Sequence, residues 1–172
     1  MADAHRVTFL GGLHWPPNAE GIVWFVRAVW PLIRQQAPNA VLTVIGKDPP
    51  AELRDTVLQN LDVTGYVDDP MPYLKETAVF IVPLPEAACV KILDAWRWGL
   101  PVVSSTIGAE GIAVENGENA LLADTPEAFA QAVTSVLQNR TVADALAAKG
   151  RQTVEIRYNW RTVYRAWNAV YR

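Results

Sequence analysis

Two short runs, Val7-Thr8-Phe9-Leu10-Gly11-Gly12 and Val41-Leu42-Thr43-Val44-Ile45-Gly46, are apolar at almost every position and stop at glycine. A strand with one solvated face alternates apolar and polar residues, so runs without that alternation suit strands covered on both faces, as in a parallel sheet. Leu61 to Gly65, Ala78 to Pro83, Pro101 to Ser104 and Ala120 to Leu122 bring the expected strands to six. Between the first two runs, Ile22, Val23, Phe25, Val26, Val29, Trp30 and Ile33 recur at helical spacing. Asn18 reads as that helix's cap and Pro31 as its kink. Further helices are expected over 51–59, 71–75, 90–98, 126–138 and 141–157, with a last one from about Trp160 to Tyr171. Regular alternation of strand and helix, joined by right-handed crossovers, gives an α/β, Rossmann-like three-layer domain with a parallel sheet of about six strands. Ligands of such sheets bind beyond the carboxyl ends of the strands, where strand order reverses. Gly11, Gly12, Gly46, Gly65 and the loop from Pro83 to Lys91 all fall at such ends.

The 172 residues, 51% of them hydrophobic, suffice for one core, and no composition shift divides them, so 1–172 reads as a single domain. Fifteen basic and 18 acidic residues are spread along the chain, leaving a net charge of −3 and no basic footprint for nucleic acid. The single Cys89 excludes an internal disulfide and any multi-cysteine metal site. The two histidines lack metal-ligand spacing, and no phosphate loop, Gly-x-Gly-x-x-Gly or Gly-x-Ser-x-Gly motif is present. No signal pattern opens the chain, and the longest apolar run, Ala78 to Leu84, is far below the roughly 18 residues of a membrane span, so a soluble, cytoplasmic chain is expected.

The stretch Val82-Pro83-Leu84-Pro85-Glu86-Ala87-Ala88-Cys89-Val90-Lys91-Ile92-Leu93-Asp94-Ala95 ends an apolar strand, opens a helix and sets two carboxylates eight positions apart. A helix starting near Cys89 offers unpaired N–H groups and a positive dipole end to an anion, and Lys91 in its first turn adds a cation. Taken alone, the same residues read as a solvated loop charge and an ordinary Lys91–Asp94 surface pair. Six of the seven tryptophans fall on helical segments, which favours packing, whereas Trp15, in the loop after Gly12, is placed to meet a ligand.

This stretch, together with Trp98-Gly99-Leu100-Pro101-Val102-Val103-Ser104-Ser105 and Ile107-Gly108-Ala109-Glu110-Gly111, resembles the donor-binding half of the retaining group 1 (family 4) glycosyltransferases of GT-B fold. Their signature is a Glu, seven residues, then Glu; here Asp94 is the second acid. The likeness runs from about Val7 to Arg172 and corresponds to the second half of the two-domain enzymes. It implies a nucleotide-diphospho-sugar as substrate, with no cofactor and no metal. It makes Glu86 and Lys91 the catalytic pair, Glu86 on hydroxyls of the sugar and Lys91 on the leaving phosphate. Ala88 and Val90 would present main-chain amides to the sugar and diphosphate, and Asp94 would hold the ribose. Gly11 and Gly12 would allow the donor close approach, Gly46 with Lys47 would border it, and Gly65, Tyr66 and Val67 would read the base through main-chain groups. The resemblance also implies a partner, the N-terminal acceptor domain, which is absent from this chain, so that this half alone is inactive. It leaves open a peripheral membrane contact of the full enzyme.

The chain departs from the family in one loop. Where relatives carry a pattern like Gly-Gly-Gly-Thr-Arg-Leu-Lys-Ile-Leu-Glu-Ala, this sequence has Pro85-Glu86-Ala87-Ala88-Cys89-Val90-Lys91-Ile92-Leu93-Asp94-Ala95. Alanine and proline restrict backbone approach, and Cys89 stands where a bidentate phosphate ligand is expected, which weakens donor binding. Two other readings therefore stay open: a non-catalytic interaction module with a degenerate donor site, and half of a GT-B nucleotide-sugar epimerase.

Overall fold

The computed structural model describes residues 5–56 and 58–159; the helix expected from Trp160 lies outside them. The six expected strands form as β1 (Arg6–Leu10), β2 (Val41–Ile45), β3 (Leu61–Gly65), β4 (Val79–Val82), β5 (Val102–Ser104) and β6 (Leu121–Leu122). They make one sheet in the order β3-β2-β1-β4-β5-β6, parallel at every pairing, which is a Rossmann-like α/β arrangement. The central strand β1 aligns Val7 with Leu42 on one side and with Val79 on the other. Val7, Phe9, Leu42, Val44, Val79 and Ile81 are fully buried, as strands without alternation require.

Seven helices complete the described part: α1 (Pro16–Trp24), α2 (Trp30–Gln36), α3 (Ala51–Arg54), α4 (Met71–Lys75), α5 (Cys89–Arg97), α6 (Pro126–Gln138) and α7 (Arg140–Arg157). Between α1 and α2 the chain makes a π turn, Phe25–Val29, in which the Trp30 N–H donates to Phe25 O. Pro31 has no N–H, and its ring would strike the carbonyl of Arg27, so the wider turn lets the helix pass the proline instead of breaking there. Asn18 is not the cap. Pro16 and Pro17, with φ already helical and no N–H to satisfy, start α1 three residues earlier, behind Trp15. The helix expected over 51–59 stops at Arg54. Leu58 beyond it is exposed.

Helices α2 and α6 pack together on one face of the sheet, where Phe129 meets Trp24 and Phe25 edge-on at centroid distances of 5.9 and 5.6 Å. Helices α5 and α7 pack together on the other. There the fully buried Trp96 donates its indole N–H to Asn119 O at 2.9 Å, and Gly150 of α7 leaves room for its ring. Thr125 caps α6 and Asn139 caps α7. Among the described residues no helix is long and apolar enough to cross a membrane.

The ends of β1 and β2 pack backbone to backbone. Gly11 N–H donates to Ile45 O at 2.9 Å, and a Cβ on Gly46 would lie 1.9 Å from Gly11 O. Gly46→Ala therefore forces two strand ends apart and should lower stability by about 1–3 kcal/mol in urea unfolding. An unchanged midpoint would mean that this turn gives way freely.

Candidate functional site

Strand order reverses between β1 and β4, and the cavity that opens beside their carboxyl ends has a volume of about 690 Å³. Its walls come from four places in the sequence. Leu10, Gly11, Gly12, His14 and Trp15 end or follow β1; Ile45, Gly46 and Lys47 end or follow β2; Tyr66, Val67 and Pro70 follow β3; Ala87, Ala88, Val90, Lys91 and Asp94 lie on or before α5, and Trp98 caps its C-terminus. Phe80 of β4 joins them.

Of the residues singled out from sequence, Gly11, Gly12, Trp15, Gly46, Lys47, Tyr66, Val67, Ala88, Val90, Lys91 and Asp94 thus share one cavity. Gly65 stands immediately behind Tyr66, at φ +70°, and its carbonyl accepts the Gly46 N–H at 3.0 Å. It shapes the turn without lining the wall. Glu86 is exposed on the loop, next to the wall residue Ala87. Pro70, Phe80 and Trp98 were not legible as site residues. The available signal was the spacing of Lys91, Asp94 and Trp98, at i, i+3 and i+7, which puts all three on one face of α5.

Lys91 is the electrostatic centre. Its ammonium donates to Leu10 O at 3.1 Å and sits 5.6 Å from the centre of the Phe9 ring, so a side chain from α5 reaches across the reversal point to β1. Burial pushes the Lys91 ammonium below the usual lysine range, and the Asp94 carboxylate offsets part of that shift. A Cβ on Gly11 would come within 2.4 Å of Nζ, so glycine there is what makes space for the charge. Asn18, which the sequence suggested as a cap, instead holds the turn beneath: it is 3% exposed and its Nδ2 donates to Gly12 O at 2.8 Å.

The loop before α5 is tied to the turn after β5. Ala88 N–H donates to Gly108 O at 3.0 Å, Ser105 Oγ donates to Leu84 O at 2.6 Å, and Gly108 N–H donates to Ser105 Oγ at 3.0 Å. This gives Ser105 a structural role in the loop. It also commits the Ala88 amide, and the first-turn amides of Cys89 and Val90 are left as the helix donors with no carbonyl one turn behind them. The cavity therefore offers a cation, a helix N-terminus, a carboxylate one turn on, and apolar lining from Val67, Pro70, Phe80 and Trp98. Among the described residues no cluster of three or more His, Cys, Asp or Glu comes together to hold a metal.

The depressed ammonium has a consequence for folding. Between its lowered value and the ordinary 10.5, the unfolded chain keeps a proton that the folded chain has released, so stability rises with pH across that window. Lys91→Met removes this term. Compared in urea unfolding from neutral pH to 10.5, the wild-type midpoint should climb relative to that of the variant; parallel curves would show that the charge is not desolvated.

Residues 4–139 match the family model described as Glycosyl transferases group 1. An uncharacterized 44.6 kDa protein in the cps region of Klebsiella pneumoniae is 27% identical over 175 residues, covering 94% of this chain and 45% of that protein. The chain thus spans less than half the length of that relative. Among solved structures, the C-terminal domain of a glycosyl transferase group 1 family protein (LpcC) from Francisella tularensis superposes with a TM-score of 0.76 at 15% identity, covering 93% of this chain and 89% of that one. A TarM variant of S. aureus, in complex with Fondaparinux, alpha-GlcNAc-glycerol and UDP, superposes with a TM-score of 0.78 at 15% identity, covering 98% of this chain and 36% of that one.

Proposed function

Because the chain belongs to the glycosyl transferases group 1 family, we propose that it is the donor-binding domain of a retaining glycosyltransferase and takes a nucleotide-diphospho-sugar in the cavity between β1 and β4. The observation that carries the reading is the order of groups along α5. The Lys91 ammonium and the helix N-terminus suit a diphosphate, and Asp94, one turn on, suits the two hydroxyls of a ribose. The main chain around Tyr66 and Val67 supplies contacts to the base. In this reading Glu86, exposed on the loop beside the wall residue Ala87, contacts hydroxyls of the transferred sugar. When the bond between the sugar's anomeric carbon and the phosphate oxygen breaks, negative charge grows on the leaving diphosphate, and Lys91 stabilises it. That UDP is bound in the S. aureus TarM complex is in keeping with a nucleotide in this chain's cavity.

The acceptor belongs to a second domain in this proposal. Reaction needs both substrates held at near-attack distance, so this half binds the donor and the complete enzyme transfers the sugar. A non-catalytic interaction module is the second reading. It is favoured by the loop that lacks glycine from Pro85 to Val90 and by the Ala88 amide already bonded to Gly108.

Calorimetric titration with UDP, GDP and ADP separates the two. On the donor-site reading at least one nucleotide binds at micromolar to low-millimolar dissociation constant, and Lys91→Met or Asp94→Asn weakens it by about tenfold or more. Affinity should fall as pH rises through the lowered Lys91 value, with a proton taken up on binding in that range. A folded chain that binds none of the three at millimolar concentration would sink the donor site and favour the module.

A further inference from the structure

We propose that Trp98 is the floor of the nucleobase seat and sets how deeply a nucleotide enters the cavity. The inference rests on the donor-site reading and adds to it the group that would meet the base. Trp98, the residue that caps the C-terminus of α5 and keeps a helical backbone, follows Lys91 by seven residues, about 10 Å along the helix axis, with Asp94 between them. A nucleoside diphosphate has the same sequence of chemistry along its length: charged phosphate, hydroxylated ribose, flat and weakly polar base. Cation, carboxylate and indole match it in that order.

The uncharged part of the lining fits the base end of this order: Val67, Pro70, Phe80 and Trp98 all line the cavity, and none of their side chains is charged. The Trp98 ring stands edge-on to Phe80, with centroids 6.3 Å apart and planes at 65°, which fixes its orientation. Its neighbour Trp96 makes the contrast: that ring is fully buried and hydrogen-bonded, whereas Trp98 stays only partly covered and keeps surface toward the cavity. Trp98 also lines a second cavity of about 340 Å³, together with Leu74, Thr77 and Pro101. The indole therefore stands as a partition between the two spaces, and its loss would deepen the donor cavity into the second one.

The test compares binding of UDP, GDP, ADP and inorganic pyrophosphate to the wild-type chain, Trp98→Phe and Trp98→Ala by calorimetry. Pyrophosphate reports the Lys91 end alone and serves as the folding control. Trp98→Ala should weaken the best-bound nucleotide by about tenfold while changing pyrophosphate affinity less than about twofold, and Trp98→Phe should recover most of the loss. Equal nucleotide affinity in all three proteins would overturn the role of Trp98 and leave the donor site standing. Equal loss of nucleotide and pyrophosphate in Trp98→Ala would overturn it as well, since the damage would not be confined to the base. If wild type binds neither probe, the donor-site reading fails and this inference fails with it.

Discussion

A sheet whose central strands are buried on both faces has no polar surface of its own to offer. Every group that can meet a ligand must come from where the strands stop, and here those stops are crowded. The Gly11 carbonyl oxygen lies 1.9 Å from where a Cβ on Gly46 would be, and Lys91 Nζ lies 2.4 Å from where a Cβ on Gly11 would be. Two glycines in contact thus bring β1 and β2 to a common edge and leave one gap beside them, filled by a cation. The reversal of strand order between β1 and β4 decides which helix reaches that gap: α5, which leaves β4, is the one whose first turn can extend a side chain to Leu10 O.

Much of this was legible in the sequence, for a physical reason. Burial on both faces erases period-two alternation, so Val7–Leu10, Val41–Ile45 and Val79–Val82 announce a parallel sheet directly, and the glycines that follow the first two mark its ligand-facing edge. Eleven of the residues picked out at those edges share the cavity wall. What escaped depends on contacts distant in sequence. Asn18 looks like a helix cap because its type and position fit one, yet its amide serves the carbonyl of Gly12. Phe80 and Trp98 look like core because aromatic residues on strands and helices usually are. Only the packing of α5 against β4 shows that Trp98 is half-covered while Trp96, two residues away, is fully enclosed.

The Lys91 ammonium explains why the cavity is shaped for something it does not itself supply. Desolvation of this charge works against folding, and the Leu10 carbonyl, the Phe9 ring and Asp94 offset it only in part, since the ammonium still titrates below its ordinary value. A chain under selection for stability alone would do better with an apolar side chain at this position. An anion at the same place would reverse the balance, because two opposite charges in a partly desolvated site attract more strongly than they would in water.

The shorter acid at position 94 fits the same economy of space. Asp94 has one methylene less than glutamate, so its carboxylate stays close to α5, near enough to Lys91 to raise the proton affinity of the ammonium. On the donor-site reading it faces two demands: to keep Lys91 protonated and to accept hydroxyl donors. These do not compete, since an ionised carboxylate has about four lone-pair sites and a ribose diol needs only two. The cation and the acid then act as one unit, in which removing either charge alters the protonation or the hydrogen bonding of the other. Their effects on binding should therefore be non-additive, as expected of groups that share one network.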